Sequence, residues 1–313
     1  TPPPFSTGPG ARVIPVNDLV RVDRAPSRYV VVGSGKTATD ACVWLLGHGV
    51  APDAICWVRP REPWMINRAV LQPDPLVFYR AVAAIMAAGA AASSPDDLFL
   101  RLEEAGIMLR IDRSLTPTMA KTPTIGQWEI DRLRTIQDVV RAGHLRHVDR
   151  GLLRFDGRDV SIPTDSLVVH CAAAGLKYPP VIPIWRPEAI TLQPVRAGFP
   201  CFGAAITGYV EATRDDDVQK NLLCLPSPLP DTPAGWARMQ VMGGRASMAF
   251  AWESDVRAWA ERTTLNPARI PPERANDPAV REAVARFRAN VGPGLERMAQ
   301  LAGLADASGP VAA

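Results

Sequence analysis

The sequence predicts an α/β protein: a parallel β-sheet with helices on both faces, followed by an irregular and helical C-terminal region. Three observations carry this. Residues 28–32 (RYVVV) are a β-branched run bounded by Pro26 and Gly33, the pattern of a buried strand. Residues 37–47 switch to a helical period, with Ala41, Trp44 and Leu45 on one face and Gly47 and Gly49 at the end. Residues 55–58 then read as a second strand, so the three segments make a βαβ crossover of about 30 residues.

Residues 1–27 are rich in Pro and Gly, lack clear periodicity and read as an extended lead-in. The chain opens on Thr1, which fits removal of an initiator Met or a start inside a longer protein. TPPPFSTGPG has no basic stretch ahead of an apolar core, so it does not read as a secretory signal. After the crossover, residues 76–92 are expected as a helix. Ser94-Pro95-Asp96-Asp97 signals the start of another, running to Glu104.

Residues 126–142 are expected as a helix ended by Gly143, and residues 144–171 as strands. Asp156-Gly157 marks a hairpin turn, and SLVVHC at 166–171 the last buried strand. Pro179, Pro180, Pro183 and Pro187 set a boundary. Beyond it, residues 188–230 are expected to be irregular, 235–262 and 277–302 helical, and 304–313 a disordered tail. The domain reading is a lead-in over 1–27, a dinucleotide-type α/β unit over 28–182, a turn-rich and helical region over 183–303, and the tail.

Composition narrows the function classes. With 47% hydrophobic and 21% charged residues the chain reads as an ordinary globular protein. A net charge of +3 with scattered arginines gives no basis for a nucleic-acid partner. The richest apolar run, 81–92, falls short of the ~18 residues that a membrane span needs, so no membrane partner is expected. Five cysteines without C-x-x-C or metal-ligand spacing fit reduced, packed thiols in a cytoplasmic protein, with no metal site.

The chemistry concentrates at Gly33-Ser34-Gly35-Lys36-Thr37-Ala38, a G-x-G-x-x-A loop. The first glycine permits the tight turn out of the strand, and the second lets a pyrophosphate approach the backbone. Ala38, in the third position, is small enough for helix and strand to pack closely. The helix start offers N–H groups and a partial positive charge to phosphates. Placement after a buried strand, at the start of a helix and within a βαβ unit, makes this a Rossmann-like site. Gly35-Lys36-Thr37 is not a triphosphate loop, because position 30 is Val where that motif needs Gly.

At the end of the second strand stands Trp57-Val58-Arg59-Pro60-Arg61. An NAD site usually has a carboxylate there, on the ribose 2′-hydroxyl. Arg59 and Arg61 instead suit a 2′-phosphate, so the expected cofactor is NADPH. Glu62 follows one residue past the pair.

YVVVGSGKTATDACVWLL, CWVRPREPW and SLVVHCAAAGL together resemble the pyridine-nucleotide domain of two-dinucleotide flavoproteins. That group includes flavin-dependent monooxygenases and glutathione-reductase-like enzymes. The chain also resembles bacterial FAD/NAD(P)-dependent oxidoreductases. The likeness is strong over 28–180 and loose over 185–230. It implies hydride transfer from NADPH to FAD, a small-molecule substrate, and a role for Ala174 and Gly175 in the A-x-G motif that closes the nucleotide domain.

Two features depart from the pattern. No G-x-G-x-x-G for FAD lies upstream of Gly33, which implies a missing FAD domain or a partner chain that supplies it. The monooxygenase signature F-x-G-x-x-x-H and the reductase C-x-x-C are both absent. A non-catalytic NADPH-binding module acting with a partner is the alternative. No catalytic residue is named, because in this chemistry the cofactors carry the reaction. His48, His144, His147 and His170 lack a recognisable carboxylate or serine partner, and His170 reads as a core residue. The charged segment 209–217 reads as a solvated turn, with Glu211, Arg214 and Asp215 as the residues to test there.

Overall fold

The computed structural model describes residues 2–172, 180–196 and 198–304. The chain forms two compact units, residues 1–66 with 109–177 and residues 67–108 with 178–313. The contiguous 28–182 unit read from the sequence is therefore interrupted, because residues 67–108 group with the C-terminal region.

The first unit is built on a five-stranded parallel sheet. Its strands lie in the order Arg12–Pro15, Leu167–His170, Tyr29–Val32, Ile55–Val58 and Val139–Val140. Side chains alternate across it with period two. Tyr29, Val31, Ile55, Trp57, Leu167 and Val169 face one core, shared with Ala41, Leu45, Ile130 and Leu133 of the helices Lys36–Gly47 and Gln127–Leu133. Val30, Val32, Cys56, Val58 and Val168 face a second core, closed by Phe5, Val148, Leu153 and Phe155. Here the helices lie on one face of the sheet. The other face packs against a small four-stranded sheet, Ser6–Thr7, His147–Asp149, Leu152–Arg154 and Asp159–Ser161.

Two sequence expectations change in this unit. The lead-in is structured: Arg12–Pro15 is an edge strand of the parallel sheet, and Ser6–Thr7 pairs in parallel with His147–Asp149. The helix expected over 126–142 stops at Leu133. Arg134 turns its guanidinium to the carbonyls of Ile111 and Arg110, and Val139–Val140 pairs with Trp57 and Val58 instead. A β-branched stretch beside an open sheet edge gains more from the ladder than from a helix.

The second unit is helical. Four of its helices begin with a side-chain N-cap followed by proline: Asp74-Pro75, Ser94-Pro95, Thr232-Pro233 and Asp277-Pro278. Proline suits the first helical position because its missing N–H would be unpaired there anyway. Helices Pro75–Ala91 and Pro278–Leu301 touch through glycine: a Cβ on Gly294 would lie 2.5 Å from the Met86 carbonyl oxygen. Arg274 ties their starts together, reaching Asp74 at 2.9 Å and Asp277 at 3.1 Å.

The region read as irregular, 188–230, contains helices Pro200–Thr213 and Asp217–Leu223. Phe202, Ile206 and Val210 recur every four residues and are fully buried. That face stabilises a segment whose glycines and β-branched residues disfavour a helix on propensity alone. The single helix expected over 235–262 is two, Pro233–Trp252 and Ser254–Arg262. Among the described residues no helix is long and apolar enough to cross a membrane. The tail expected over 304–313 lies outside the described residues from 305 onward.

Candidate functional site

Tyr29–Val32 pairs with Ile55–Val58 on one side and with Leu167–His170, which returns late in the chain, on the other. Tyr29–Val32 is therefore the central strand of the sheet, and its carboxyl end leads through helix Lys36–Gly47 to Ile55–Val58. Open α/β sheets bind ligands outside the carboxyl ends of their strands. The glycine loop stands there. Gly33 has φ +143°, a conformation that L side chains rarely adopt, and a Cβ on it would come within 3.0 Å of the Cys171 carbonyl oxygen. Gly35 begins helix Lys36–Gly47 with no side-chain cap, and a Cβ on it would meet nothing within 4 Å. Its backbone faces open space. Ala38 is fully buried, with its Cβ 3.4 Å from the position a Gly33 Cβ would take.

The second strand end lies against this loop. Trp57 Nε1 donates to the Gly33 carbonyl at 2.9 Å, and the Arg61 N–H donates to Ser34 Oγ at 3.3 Å. The structure thus brings Gly33, Ser34, Gly35, Ala38, Arg59 and Arg61 together. Thr37 is exposed on the first turn of the helix. Lys36 is committed elsewhere: its Nζ pairs with Asp40 and lies 3.2 Å from Glu129 Oε1. Glu129 is buried, and its other oxygen accepts from the Gly126 N–H at 2.6 Å. Lys36 therefore links the two helices on this face of the sheet. Ala174 and Gly175 lie outside the described residues.

Arg59 differs most from its sequence reading. It is only 2% exposed, because it shares the face of Trp57 and stacks its guanidinium 4.6 Å from that ring. Nη2 lies 3.3 Å from Glu62 Oε1, while Nε and Nη1 have no hydrogen-bond partner. Burial pulls its pKa below the ordinary arginine value, and Glu62 opposes that shift. Arg61 is half-buried and donates from Nη2 to the Thr118 carbonyl.

Sequence reasoning missed the residues around Arg59. Glu62 accepts from Arg141 at 2.6 Å, and Arg141 reaches Asp112 at 2.8 Å. Asp112, Ser114, Arg134, Gln137 and Arg141 join Arg59 around a cavity of about 480 Å³. Only Glu62 was visible as a neighbour; the others come from distant segments that the sheet gathers.

The histidines also change. His147 has both kinds of partner that the sequence did not reveal: its Nδ1 lies 2.7 Å from Ser6 Oγ and its Nε2 3.0 Å from Asp149 Oδ1. The parallel pairing of residues 6 and 147 makes this contact, which no local pattern predicts. Asp149 is also held by Arg154, whose hydrogen bond is the main reason its pKa is lowered. His170 is buried against Phe5, and burial lowers its pKa. The thiols of Cys56 and Cys171 are pushed up to about 12 by burial, so neither is a ready nucleophile.

Of the second unit's three candidates, Glu211 accepts from Trp185 Nε1 and from buried Lys220 at 2.8 Å. Arg214 pairs with Asp255 at 2.8 Å. Asp215 is exposed, and its neighbour Asp216 caps helix Asp217–Leu223. The segment is a solvent-exposed helix-to-helix junction, and ion pairs of Glu211 and Arg214 brace it. No group of three or more His, Cys, Asp or Glu able to hold a metal ion occurs among the described residues.

Uncharacterized proteins of Mycobacterium tuberculosis and Mycobacterium bovis are 37% identical to this chain over 312 residues. The match covers 98% of this chain and 58% of each relative, so the chain spans a little over half the length of the curated relatives it matches. No family model matches the chain, and no solved structure matches it.

Proposed function

We propose that the first unit binds NADPH, as the pyridine-nucleotide part of an FAD-dependent oxidoreductase acting on a small molecule. The observation that carries this reading is the glycine loop at the carboxyl end of the central parallel strand, with open space in front of Gly35. Gly33, Gly35 and the first turn of helix Lys36–Gly47 would hold the pyrophosphate. Arg59 supports a 2′-phosphate, because a buried guanidinium with two idle donors suits an anionic acceptor. Arg61, at the same strand end, would approach it from the rim.

NADPH would supply a hydride. The chain's own residues position it: the loop fixes the phosphates, and the Trp57 contact with Gly33 holds the strand end against them. The sequence has no second glycine loop of this kind, so these residues do not offer FAD a cradle. FAD is proposed to come from another domain or a partner chain. Five free cysteines support a cytoplasmic setting.

Titration of the purified chain with NADPH and NADH tests the reading. Micromolar NADPH binding with weaker NADH binding is expected, and Arg59→Ala with Arg61→Ala should remove the preference. Equal binding of both by the unmutated chain would refute the NADPH assignment. A second reading, an NADPH-binding module without turnover, is favoured by the ion-paired or packed state of the described candidates for proton transfer. Flavin absorbance and NADPH oxidation after adding FAD separate the two.

A further inference from the structure

A carboxylate stands inside the arginine cluster of the first unit. Glu62 has a side chain only 11% exposed, and its Oε1 faces both Arg141 Nε at 2.6 Å and Arg59 Nη2 at 3.3 Å. Asp112 completes the row through Arg141. Two guanidinium groups and two carboxylates thus compensate one another before any ligand binds. The compensation is incomplete in geometry, because Arg59 keeps two donors without acceptors at 2% exposure. The cavity of about 480 Å³ lies beside them. Asp112, Arg113, Arg134 and Arg141 are the other charged groups that line it.

We infer that Glu62 is the specificity-determining residue of the proposed dinucleotide site: it is the resident counter-ion of Arg59 and Arg141, and a 2′-phosphate must compete with it for both. This inference rests on the dinucleotide reading. A 2′-phosphate offers more oxygens and more negative charge than the carboxylate, so it can replace Glu62 on Arg59 and still meet the idle Nε and Nη1. A 2′-hydroxyl has the opposite need. It can donate to Glu62, as ribose hydroxyls do at the carboxylate of an NAD site. One side chain therefore lowers the advantage of NADPH and supports NADH. The pair of arginines alone predicts a larger preference than this cluster can deliver.

The test is Glu62→Gln, which keeps the shape and removes the charge. NADPH, NADH, adenosine 2′-monophosphate and adenosine 5′-monophosphate are titrated calorimetrically into both proteins. The expected result is NADPH and the 2′-monophosphate tighter by about tenfold, with NADH and the 5′-monophosphate no tighter. Thermal unfolding confirms that the variant is folded. Should it not fold, Glu62→Asp, which draws the charge back on a shorter arm, is expected to shift the NADPH/NADH ratio the same way by less. An unchanged ratio in a folded variant, or one that moves toward NADH, overturns the inference while leaving the dinucleotide reading intact. An unmutated chain that binds neither NADPH nor NADH overturns both.

Discussion

In the first unit Gly35 has open space where a side chain would begin, whereas in the second Gly89 and Gly294 let two helices touch. A Cβ on Gly35 meets nothing within 4 Å; one on Gly294 meets the Met86 backbone at 2.5 Å. The same residue type thus leaves open space in one place, where we propose a nucleotide binds, and permits packing in the other. Surroundings, not identity, decide which, so the two roles separate cleanly by measuring stability and binding on the same variants.

Gly294→Ala should give the largest effect. Its new methyl meets main chain that cannot rotate away, and overpacking of this kind costs about 3 kcal/mol. The gain in helix propensity, about 1 kcal/mol, offsets only part of that. Thermal unfolding should show a clear loss, and a variant as stable as the parent would mean that the helices can slide apart.

Gly33→Ala comes next. The positive φ and the 3.0 Å approach to Cys171 should cost about 2 kcal/mol, with nucleotide binding lost as well. Gly35→Ala sharpens the contrast. Its φ of −87° is open to alanine, so stability should change by less than about 1 kcal/mol, yet NADPH binding should weaken at least about tenfold. A Gly35→Ala protein that binds NADPH normally would remove the glycine loop from consideration.

The smallest effect concerns acid. The pKa of Asp74 is lowered, first by the Val77 N–H and then by Arg274. A carboxylate depressed in the folded state contributes stability above its unfolded pKa of about 3.9, and loses it as pH falls through the lower folded value. Asp74→Asn keeps a capping oxygen but gives up the charge on Arg274. Its unfolding temperature should therefore fall less than the parent's between neutral pH and pH values below about 4. Parallel curves would show that the cap is indifferent to charge.

The sequence made the crossover readable because each signal there was local. Strand, glycine loop, helix and second strand lie within about 30 consecutive residues, and Ile55–Val58 falls where the pattern put it. The N-cap at Ser94-Pro95 was readable for the same reason. What escaped was non-local. Arg12–Pro15 is a strand only because Leu167–His170 lies beside it, and four residues ending in proline carry no strand signal of their own. Helix Pro200–Thr213 was hidden by its glycines and β-branched residues, though Phe202, Ile206 and Val210 at intervals of four mark its buried face.

Within the candidate site, the loop was legible and the arginines only half so. Period-two alternation places Arg59 on the face of buried Trp57, and that parity was the available sign that it would be buried. Arg141 and Asp112 sit about 50 to 80 positions from Arg59, and no spacing rule reaches that far.

Trp57 is gripped from two sides, its N–H by the Gly33 carbonyl and its ring by the Arg59 guanidinium. Both of those groups belong to the proposed cradle. The emission of this buried indole is therefore tied to the charge and position of the very atoms a nucleotide would engage. A nucleotide in the proposed cradle is expected to change the Trp57 share of the emission, which the Trp57→Phe variant separates from that of the other seven tryptophans.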